Sequence, residues 1–194
     1  LALCEQHDLD DIEELSDEII TRSDVATRAA IRELPAGTYK ASAELDLADG
    51  SRIHIACAIT VDVVKGEILV DYEGSSGASP YGINVVRNYT HAYTTFAVRA
   101  VLNPDLPNNY GSLAPILVEA PVGSIVNAVS PQPCTARHVV GMFLPNALLK
   151  ALAQIRPMQA MAEGAGAVWT MQVSGTYDDG SPFITSMFTY AGGV

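Results

Sequence analysis

Apolar residues recur at every second position in three successive runs between Tyr39 and Tyr72, and no other feature constrains the fold of this sequence as much. A period of two places the apolar side chains of each run on one face of a β-strand. The runs are separated by Asp49-Gly50-Ser51 and by Lys65-Gly66, which are typical turn sequences. The sequence therefore predicts three antiparallel strands that share one apolar face.

The two turn sequences also predict a register. A three-residue loop at residues 49–51 and a two-residue turn at residues 65–66 align apolar positions on the same side of the sheet. The predicted pairs are Leu47–Ile53, Leu45–Ile55, Ala43–Cys57, Val63–Ile68, Val61–Val70 and Ile59–Tyr72. Cys57 falls on the inward row, so we expect a small buried hydrophobic side chain there rather than a nucleophile.

Helical periodicity precedes these strands. Apolar residues recur at three, four or seven positions between residues 9 and 34, which predicts a helix capped by Asp8. Ser23-Asp24 is expected to interrupt it and to cap a second helix, and Pro35-Ala36-Gly37 ends it. The apolar positions are Leu9, Ile12, Leu15, Ile19, Ala26, Ala30 and Leu34.

Two further helices are predicted after the strands. Asn84 can cap a helix that ends at Leu102, and Thr135 can cap a third that runs to Ile155. The inward positions predicted for the Asn84 helix are Val85, Tyr89, Ala92, Phe96 and Ala100. Residues 103–134 contain six prolines and a short strand at residues 116–119, a composition typical of a surface segment.

The last part of the chain predicts a hairpin, in which residues 169–173 alternate and Asp179-Gly180 turns into a strand from Phe183 to Tyr190. The predicted fold class is α+β, an antiparallel β-meander with helices. Residues 1–35 are expected to form a helical segment and residues 36–194 an α+β region, and because Leu1 is not a start residue we expect a piece of a longer chain.

Charge and cysteine content exclude several classes of function. A formal net charge of −11 disfavours nucleic acid and anionic membranes as ligands, because both require clustered basic residues. No apolar run is long enough to span a bilayer and no signal peptide is recognisable, so the sequence predicts a cytoplasmic protein. Cys4, Cys57 and Cys134 are widely spaced, which favours neither a disulfide framework nor a zinc site.

Six stretches match, in order, the pattern of the hydantoinase B/oxoprolinase family, the B-type subunit of N-methylhydantoinase and the equivalent half of 5-oxoprolinase. The resemblance covers essentially the whole chain. The stretches are Arg32-Glu33-Leu34-Pro35-Ala36-Gly37-Thr38-Tyr39, Val70-Asp71-Tyr72-Glu73-Gly74-Ser75-Ser76, Leu102-Asn103-Pro104-Asp105-Leu106-Pro107-Asn108-Asn109-Tyr110-Gly111-Ser112, Glu119-Ala120-Pro121-Val122-Gly123-Ser124-Ile125-Val126-Asn127, Thr135-Ala136-Arg137-His138-Val139-Val140-Gly141 and Tyr190-Ala191-Gly192-Gly193.

This resemblance implies an ATP-dependent cyclic amidase that works as a hetero-oligomer. An A-type subunit with an ATP-binding fold phosphorylates the oxygen of a lactam or hydantoin, and the B-type subunit hydrolyses the activated ring. In the family, a His- and Asp-bearing motif that looks like its metal site lies upstream of the stretches that residues 1–194 resemble. The resemblance therefore implies ATP through the A-type partner, with no cofactor expected in residues 1–194 and room for a divalent metal in the full-length subunit.

Two alternatives remain open. The acetone and acetophenone carboxylases resemble the same family, and they use phosphoryl activation for carboxylation of a ketone. The chain also fits a scaffold module that holds the partner while the chemistry takes place elsewhere, because its charge is sparse and its proline-rich segment is long. The residue patterns do not separate these functions.

The candidate catalytic residues are Asp71, Arg137 and His138. Asp71 lies on the outward row at a strand end, and Arg137 and His138 lie in the first turn predicted after Thr135, where free backbone N–H groups favour an anion. A turn role for Asp71 and an ion pair for Arg137 are the plainer alternatives.

The candidate substrate-binding residues are Ser75, Ser76 and Asn84. The two hydroxyls follow the strand end that carries Asp71, and Asn84 is a helix cap as well as a candidate ligand. Cys134 lies beside the Arg137 turn, but it would need a base within reach to act as a nucleophile.

Overall fold

The structure is a computed structural model that describes residues 2–7, 12–164, 166 and 168–190. The predicted cap at Asp8 and residues 191–193 of the last quoted stretch lie outside the described residues. Within the described part of the chain, every helix is too short or too polar to cross a lipid bilayer. In chain order the elements are α1 (Ala2–His7), α2 (Glu13–Arg32), β1 (Gly37–Asp46), β2 (Arg52–Asp62), β3 (Glu67–Asp71), α3 (Arg87–Leu102), α4 (Tyr110–Leu113), β4 (Ile116–Glu119), α5 (His138–Gly141), α6 (Phe143–Leu152), β5 (Val168–Thr176) and β6 (Pro182–Tyr190).

The predicted meander is confirmed, since β1, β2 and β3 pair antiparallel. The predicted register was wrong by two residues in both hairpins, because residues 47–51 and 63–66 form longer loops than expected. Asp49 and Asp62 cause the difference. Asp49 Oδ1 accepts from the Ser51 amide at 2.9 Å, and Asp62 Oδ1 accepts from the amides of Val64 and Lys65 at 3.0 Å. The observed pairs include Ala43–Ile55, Leu45–Ile53, Ile59–Val70 and Val61–Ile68.

A shift of two residues leaves each side chain on its predicted face, because the period of a strand is two. The predicted buried row is therefore correct, and Ile55, Ile59, Ile68 and Val70 lie in the core. These side chains share one core with Val98 of α3 and with Leu144 and Leu148 of α6. The fold class predicted from the sequence, α+β, is confirmed.

The short strand predicted at residues 116–119 is confirmed as β4, but its partner was not foreseen. β4 runs parallel to β3, with Ile68 opposite Ile116 and Asp71 opposite Glu119, so the sheet order is β1-β2-β3-β4. Helix α3 lies in the connection between these two strands, as in a β-α-β unit. The sheet is therefore an antiparallel meander with one parallel strand at its edge.

The inward face of α3 differs from the predicted one. The face was predicted to include Ala92, Phe96 and Ala100, but all three are exposed, Phe96 to 64%. The buried face instead carries Thr90 and Thr94. Their hydroxyls donate to the carbonyls of Val126 and Thr90 at 2.6 and 2.7 Å, and hydroxyls that are bonded in this way can be buried at little cost. Besides these, the buried residues of α3 are Thr95, Ala97, Val98, Val101 and Leu102.

Helix α2 is continuous, so the interruption predicted at Ser23-Asp24 was wrong. Ser23 Oγ donates to the Ile19 carbonyl at 2.8 Å, and Asp24 pairs with Arg28 one turn later, so both residues bond within the helix. Its buried residues are Ser23, Thr27 and Ile31 rather than the predicted apolar stripe, and Leu15 and Ile19 are exposed.

The third predicted helix is divided into α5 and α6, which meet at Met142. Pro145 lies in the first turn of α6, where its missing N–H costs no intrahelical bond, so the division places the proline where a helix tolerates it. Thr135 does not cap α5. The cap position is held by Arg137, without a side-chain hydrogen bond. The predicted terminal hairpin is confirmed as β5 and β6, which form a sheet of their own.

Burial should make Cys57 inert in the native protein. Its side chain is 3% exposed, and burial followed by the charge of Asp71 raises the pKa of its thiol to about 12. Because the thiolate is the reactive form, almost none is present at pH 8. We expect iodoacetamide at pH 8 to label Cys134, which is half-buried, and to leave Cys57 unmodified until guanidinium is added. Peptide mass spectrometry measures both sites, and fast native labelling of Cys57 would contradict this placement.

Candidate functional site

A cleft lies where the adjacent parallel strands β3 and β4 end. Asp71 ends β3 and pairs with Glu119, which ends β4. In open sheets with parallel strands, ligands bind outside the carboxyl ends of the strands. The cleft has a volume of about 640 Å³. It is lined by Asp71, Glu73, Arg87, Val118, Glu119, Ala120, Pro121, Val122, Asn127 and Val129.

Asp71 is half-buried, and its side chain also shapes the turn that follows. Asp71 Oδ1 accepts from the Glu73 amide at 2.9 Å. This bond is the turn role that was the plainer alternative for Asp71 in the sequence analysis. Asp71 and Glu73 both line the cleft, and both also line a second cleft of about 400 Å³ on the outer face of the sheet beside Lys40. The turn bond therefore holds the Asp71 carboxylate at the junction of two clefts.

Arg87 contributes the positive charge of the cleft. It is the first residue of α3, and the preceding Val86 is extended and makes no side-chain cap bond. Among the described residues, the guanidinium of Arg87 has no salt-bridge partner. The cleft therefore combines one exposed guanidinium with the carboxylates of Asp71, Glu73 and Glu119, so it offers both a donor and acceptors to a ligand.

Asn127 also lines the cleft. It lies in the segment between β4 and α5, where its amide N–H donates to Ser124 O at 3.1 Å and its carbonyl accepts from the Gly123 amide at 2.9 Å. Its side-chain nitrogen donates to Ala120 O at 2.8 Å. Residues 120–127 thus form a loop closed on itself, and the apolar residues Val122, within this loop, and Val129, just after it, also line the cleft.

The two predicted serines use their hydroxyls inside the protein. Ser76 Oγ accepts from the His54 amide at 2.9 Å, and Ser75 Oγ accepts from the Ala56 amide at 3.1 Å and donates to its carbonyl at 3.3 Å. These bonds continue the pairing of β2 beyond the end of β3. Substrate binding by Ser75 and Ser76 stays a prediction, and the geometry gives both hydroxyls a structural role.

Asn84 does not cap α3, since that position is held by Val86. The Asn84 side chain is fully buried and makes four hydrogen bonds. Its Oδ1 accepts from the Ser79 amide at 2.7 Å, and the two N–H groups of its Nδ2 donate to three carbonyls, those of Ser79, Tyr81 and Pro133 at 2.9, 3.0 and 2.8 Å, so that one N–H is shared between two of them. Asn84 therefore ties two loops together, and its predicted role as a substrate ligand stays a prediction.

Arg137 and His138 lie apart from the clefts described above. Both are exposed at the start of α5, which has only four residues. The guanidinium carbon of Arg137 lies 5.7 Å from the centre of the Tyr89 ring, a cation–π distance. Their predicted contact with an anionic intermediate stays a prediction. The structure brings Asp71 together with Glu119, Arg87 and Asn127 rather than with Arg137 and His138.

Sequence reasoning missed Arg87, Glu119 and Asn127. Glu119 and Asn127 begin and end one of the stretches quoted for the family resemblance, so the signal was present. The pattern could not place them beside Asp71, because the parallel pairing of β3 with β4 decides that proximity.

Comparison with known proteins gives consistent results. The sequence model of the hydantoinase B/oxoprolinase family matches residues 1–194. The chain is 30% identical over 186 residues to the putative B-type subunit of a D-/L-hydantoinase from Pseudomonas sp. strain NS671, a match that covers 90% of this chain and 31% of that relative.

Two solved structures have the same fold. An ATP-dependent caprolactamase from Pseudomonas jessenii aligns with a TM-score of 0.82 and 22% identity, covering 94% of this chain and 32% of the other. A nucleotide-free acetone carboxylase aligns with a TM-score of 0.70 and 16% identity, covering 84% and 24%. At these identities the likeness establishes the fold alone. The chain spans about a third of the length of the hydantoinase and caprolactamase relatives.

Proposed function

This chain belongs to the hydantoinase B/oxoprolinase family, and on that premise we propose that it is the part of an ATP-dependent cyclic amidase that binds the activated lactam or hydantoin ring. The observation that carries the proposal is the cleft at the ends of β3 and β4, where Asp71, Glu119 and Arg87 line one cavity large enough for a small ring.

The proposed reaction consumes one ATP and two water molecules for each ring opened. The amide oxygen takes the γ-phosphoryl group of ATP and ADP leaves. Water adds to the ring carbon and loses a proton, the C–N bond breaks, and the nitrogen takes up a proton. A second water hydrolyses the resulting acyl phosphate to a carboxylate and inorganic phosphate. The products are a ring-opened amino acid or ureido acid, ADP and phosphate.

Within this scheme, Asp71 accepts the proton of the attacking water and Arg87 binds the phosphoryl group. A carboxylate at a strand end can act as a general base, and a guanidinium without an internal partner can bind phosphate oxygens. Val118, Val122 and Val129 provide apolar walls for the ring carbons. The support for these roles is the position of each residue in one cleft.

The phosphoryl group is proposed to come from an A-type partner that binds ATP, in a hetero-oligomer. The hydantoinase relative is itself one component of a multi-subunit enzyme, which is consistent with such a pair. Among the described residues, no three His, Cys, Asp or Glu side chains are arranged to hold a metal ion. The roles above are assigned only to side chains of the described residues, and a divalent metal in the full-length protein stays a proposal.

Mixing the full-length protein with its A-type partner tests the proposal. We expect ATP hydrolysis that depends on caprolactam, 5-oxoproline or hydantoin, together with ring-opened product detected by mass spectrometry. If none of the three amides gives either signal, the proposed function is wrong. Incorporation of labelled bicarbonate into acetone in the same mixture would instead support a ketone carboxylase, the alternative that the fold of acetone carboxylase keeps open.

Replacing Asp71 with asparagine should lower kcat about 10²- to 10⁴-fold, the usual contribution of a general base. The asparagine oxygen can still accept from the Glu73 amide, so the turn should persist. Asp105→Asn is the matched control, because Asp105 is exposed in a loop outside the cleft, and it should keep full activity. Equal activity of the Asp71 variant and the control would exclude Asp71 as the base.

A further inference from the structure

We infer that Asn127 recognises the ring N–H of the amide through its side-chain oxygen, from the wall of the cleft that also holds Asp71 and Arg87. This inference rests on the proposed function and adds to it a residue that determines specificity for amides over esters and N-substituted amides.

The burial and bonding of Asn127 point to a ligand. The residue is 8% exposed, so more than nine-tenths of it is buried, and it lines the cleft. Its Nδ2 donates to Ala120 O, whereas its Oδ1 has no hydrogen-bond partner among the described residues. Because no protein group occupies this acceptor, a bound molecule that displaces solvent from it must supply the hydrogen bond, so the atom is suited to accept from a ligand.

The orientation of the Asn127 amide is determined by its surroundings. Exchanging its oxygen and nitrogen would set Oδ1 against the carbonyl oxygen of Ala120, two acceptors that repel each other. In the described residues, the side-chain polar atoms that are fully buried and lack a partner are Arg99 Nε, Asn103 Oδ1 and Ser124 Oγ. Asn127 Oδ1 is not one of them, so it is not fully buried. Oδ1 therefore keeps contact with solvent, and Asn127 is one of the residues that line the cleft.

A cyclic amide complements the polar groups of this cleft. The ring carries one N–H donor beside one oxygen, and the cleft supplies an acceptor at Asn127 and a donor at Arg87. A lactone lacks the N–H, and an N-methyl lactam replaces it with a methyl group. Either analogue would displace solvent from Asn127 Oδ1 without giving it a new partner, and sites that bond a substrate N–H discriminate strongly against analogues that lack it.

The test compares caprolactam and 5-oxoproline with their N-methyl analogues, using the full-length protein and its A-type partner. We expect the wild type to prefer the N–H form. Asn127→Ala should lower kcat/KM for the N–H form about 10- to 100-fold and leave that for the N-methyl form nearly unchanged, so the preference is lost. The ratio is measured within one enzyme, so it does not depend on how much of a variant is folded.

Asn127→Asp separates recognition from loop anchoring. The carboxylate keeps an acceptor oxygen but cannot donate to Ala120 O, so we expect this variant to be less stable and to retain the preference for the N–H form. The inference is overturned if Asn127→Ala keeps the wild-type preference, or if the wild type turns over both forms equally. Absence of any amide-dependent turnover in the wild type would instead refute the proposed function, and the inference would fall with it.

Discussion

Replacing Gly111 with alanine is expected to lower the free energy of unfolding by about 3 kcal/mol, at the upper end of the usual cost of overpacking. Gly111 belongs to α4, which packs directly on α2. A Cβ atom on this residue would lie 1.9 Å from the carbonyl oxygen of Ile20 and 3.0 Å from the amide nitrogen of Asp24. Both atoms belong to the backbone of α2, so no side chain can move aside and the two helices must separate.

The separation would also break polar contacts around this interface. Asn109 Nδ2 donates to Ser23 Oγ at 2.8 Å, and Asn103 Nδ2 donates to Thr27 Oγ1 at 3.3 Å. Ser23 and Thr27 are buried, so loss of these partners adds to the cost of overpacking.

Equilibrium urea unfolding followed by circular dichroism measures the change in the free energy of unfolding. Gly77→Ala is the matched control, since a Cβ atom there meets nothing within 4 Å, and it should change stability by less than about 0.5 kcal/mol. If Gly111→Ala is as stable as the Gly77 variant, the close approach of α4 to α2 is wrong.

Replacing Asn84 with alanine is expected to cost about 3 kcal/mol, because the side chain makes four hydrogen bonds in a buried site. The variant would leave the Ser79 amide and the carbonyls of Ser79, Tyr81 and Pro133 without this partner. Loss of the shared partner should loosen residues 79–81 from the segment around Pro133, so the effect combines unpaired polar groups with a cavity.

Urea unfolding again gives the stability, and Asn88→Ala serves as the control, because Asn88 is exposed on α3 and should change it by less than about 0.5 kcal/mol. The same pair of variants examines the substrate-binding role predicted for Asn84. An Asn84→Ala protein with wild-type stability and a raised KM for the amide would contradict the structural role and support a ligand contact.

Much of the sheet could be predicted from the sequence because strand periodicity is a local property. The inward rows of β1, β2 and β3 were correct although their register was wrong by two residues, since an even shift leaves every side chain on the same face. The burial of Cys57 followed from the same periodicity. The register itself depended on Asp49 and Asp62, whose side chains bond to loop amides.

The helices were harder to predict, because their buried faces carry hydroxyl groups. Thr90 and Thr94 of α3 and Ser23 of α2 are buried with their hydroxyls bonded, while Phe96 is exposed. Hydrophobic periodicity predicts that Ser and Thr lie on the surface. These residues can be buried because carbonyl oxygens nearby accept hydrogen bonds from their hydroxyls, and the position of those carbonyls is known only from the tertiary structure.

The sequence by itself determined the family, the alternating strands and the inward rows of the meander, because these are properties of neighbouring residues and of an ordered set of stretches. Tertiary structure alone decided the composition of the candidate cleft. Asp71 and Glu119 are far apart in the chain, and they lie side by side because β4 pairs parallel to β3, with α3 in the connection. Parallel pairing depends on packing across that long connection, which no local pattern of residues encodes.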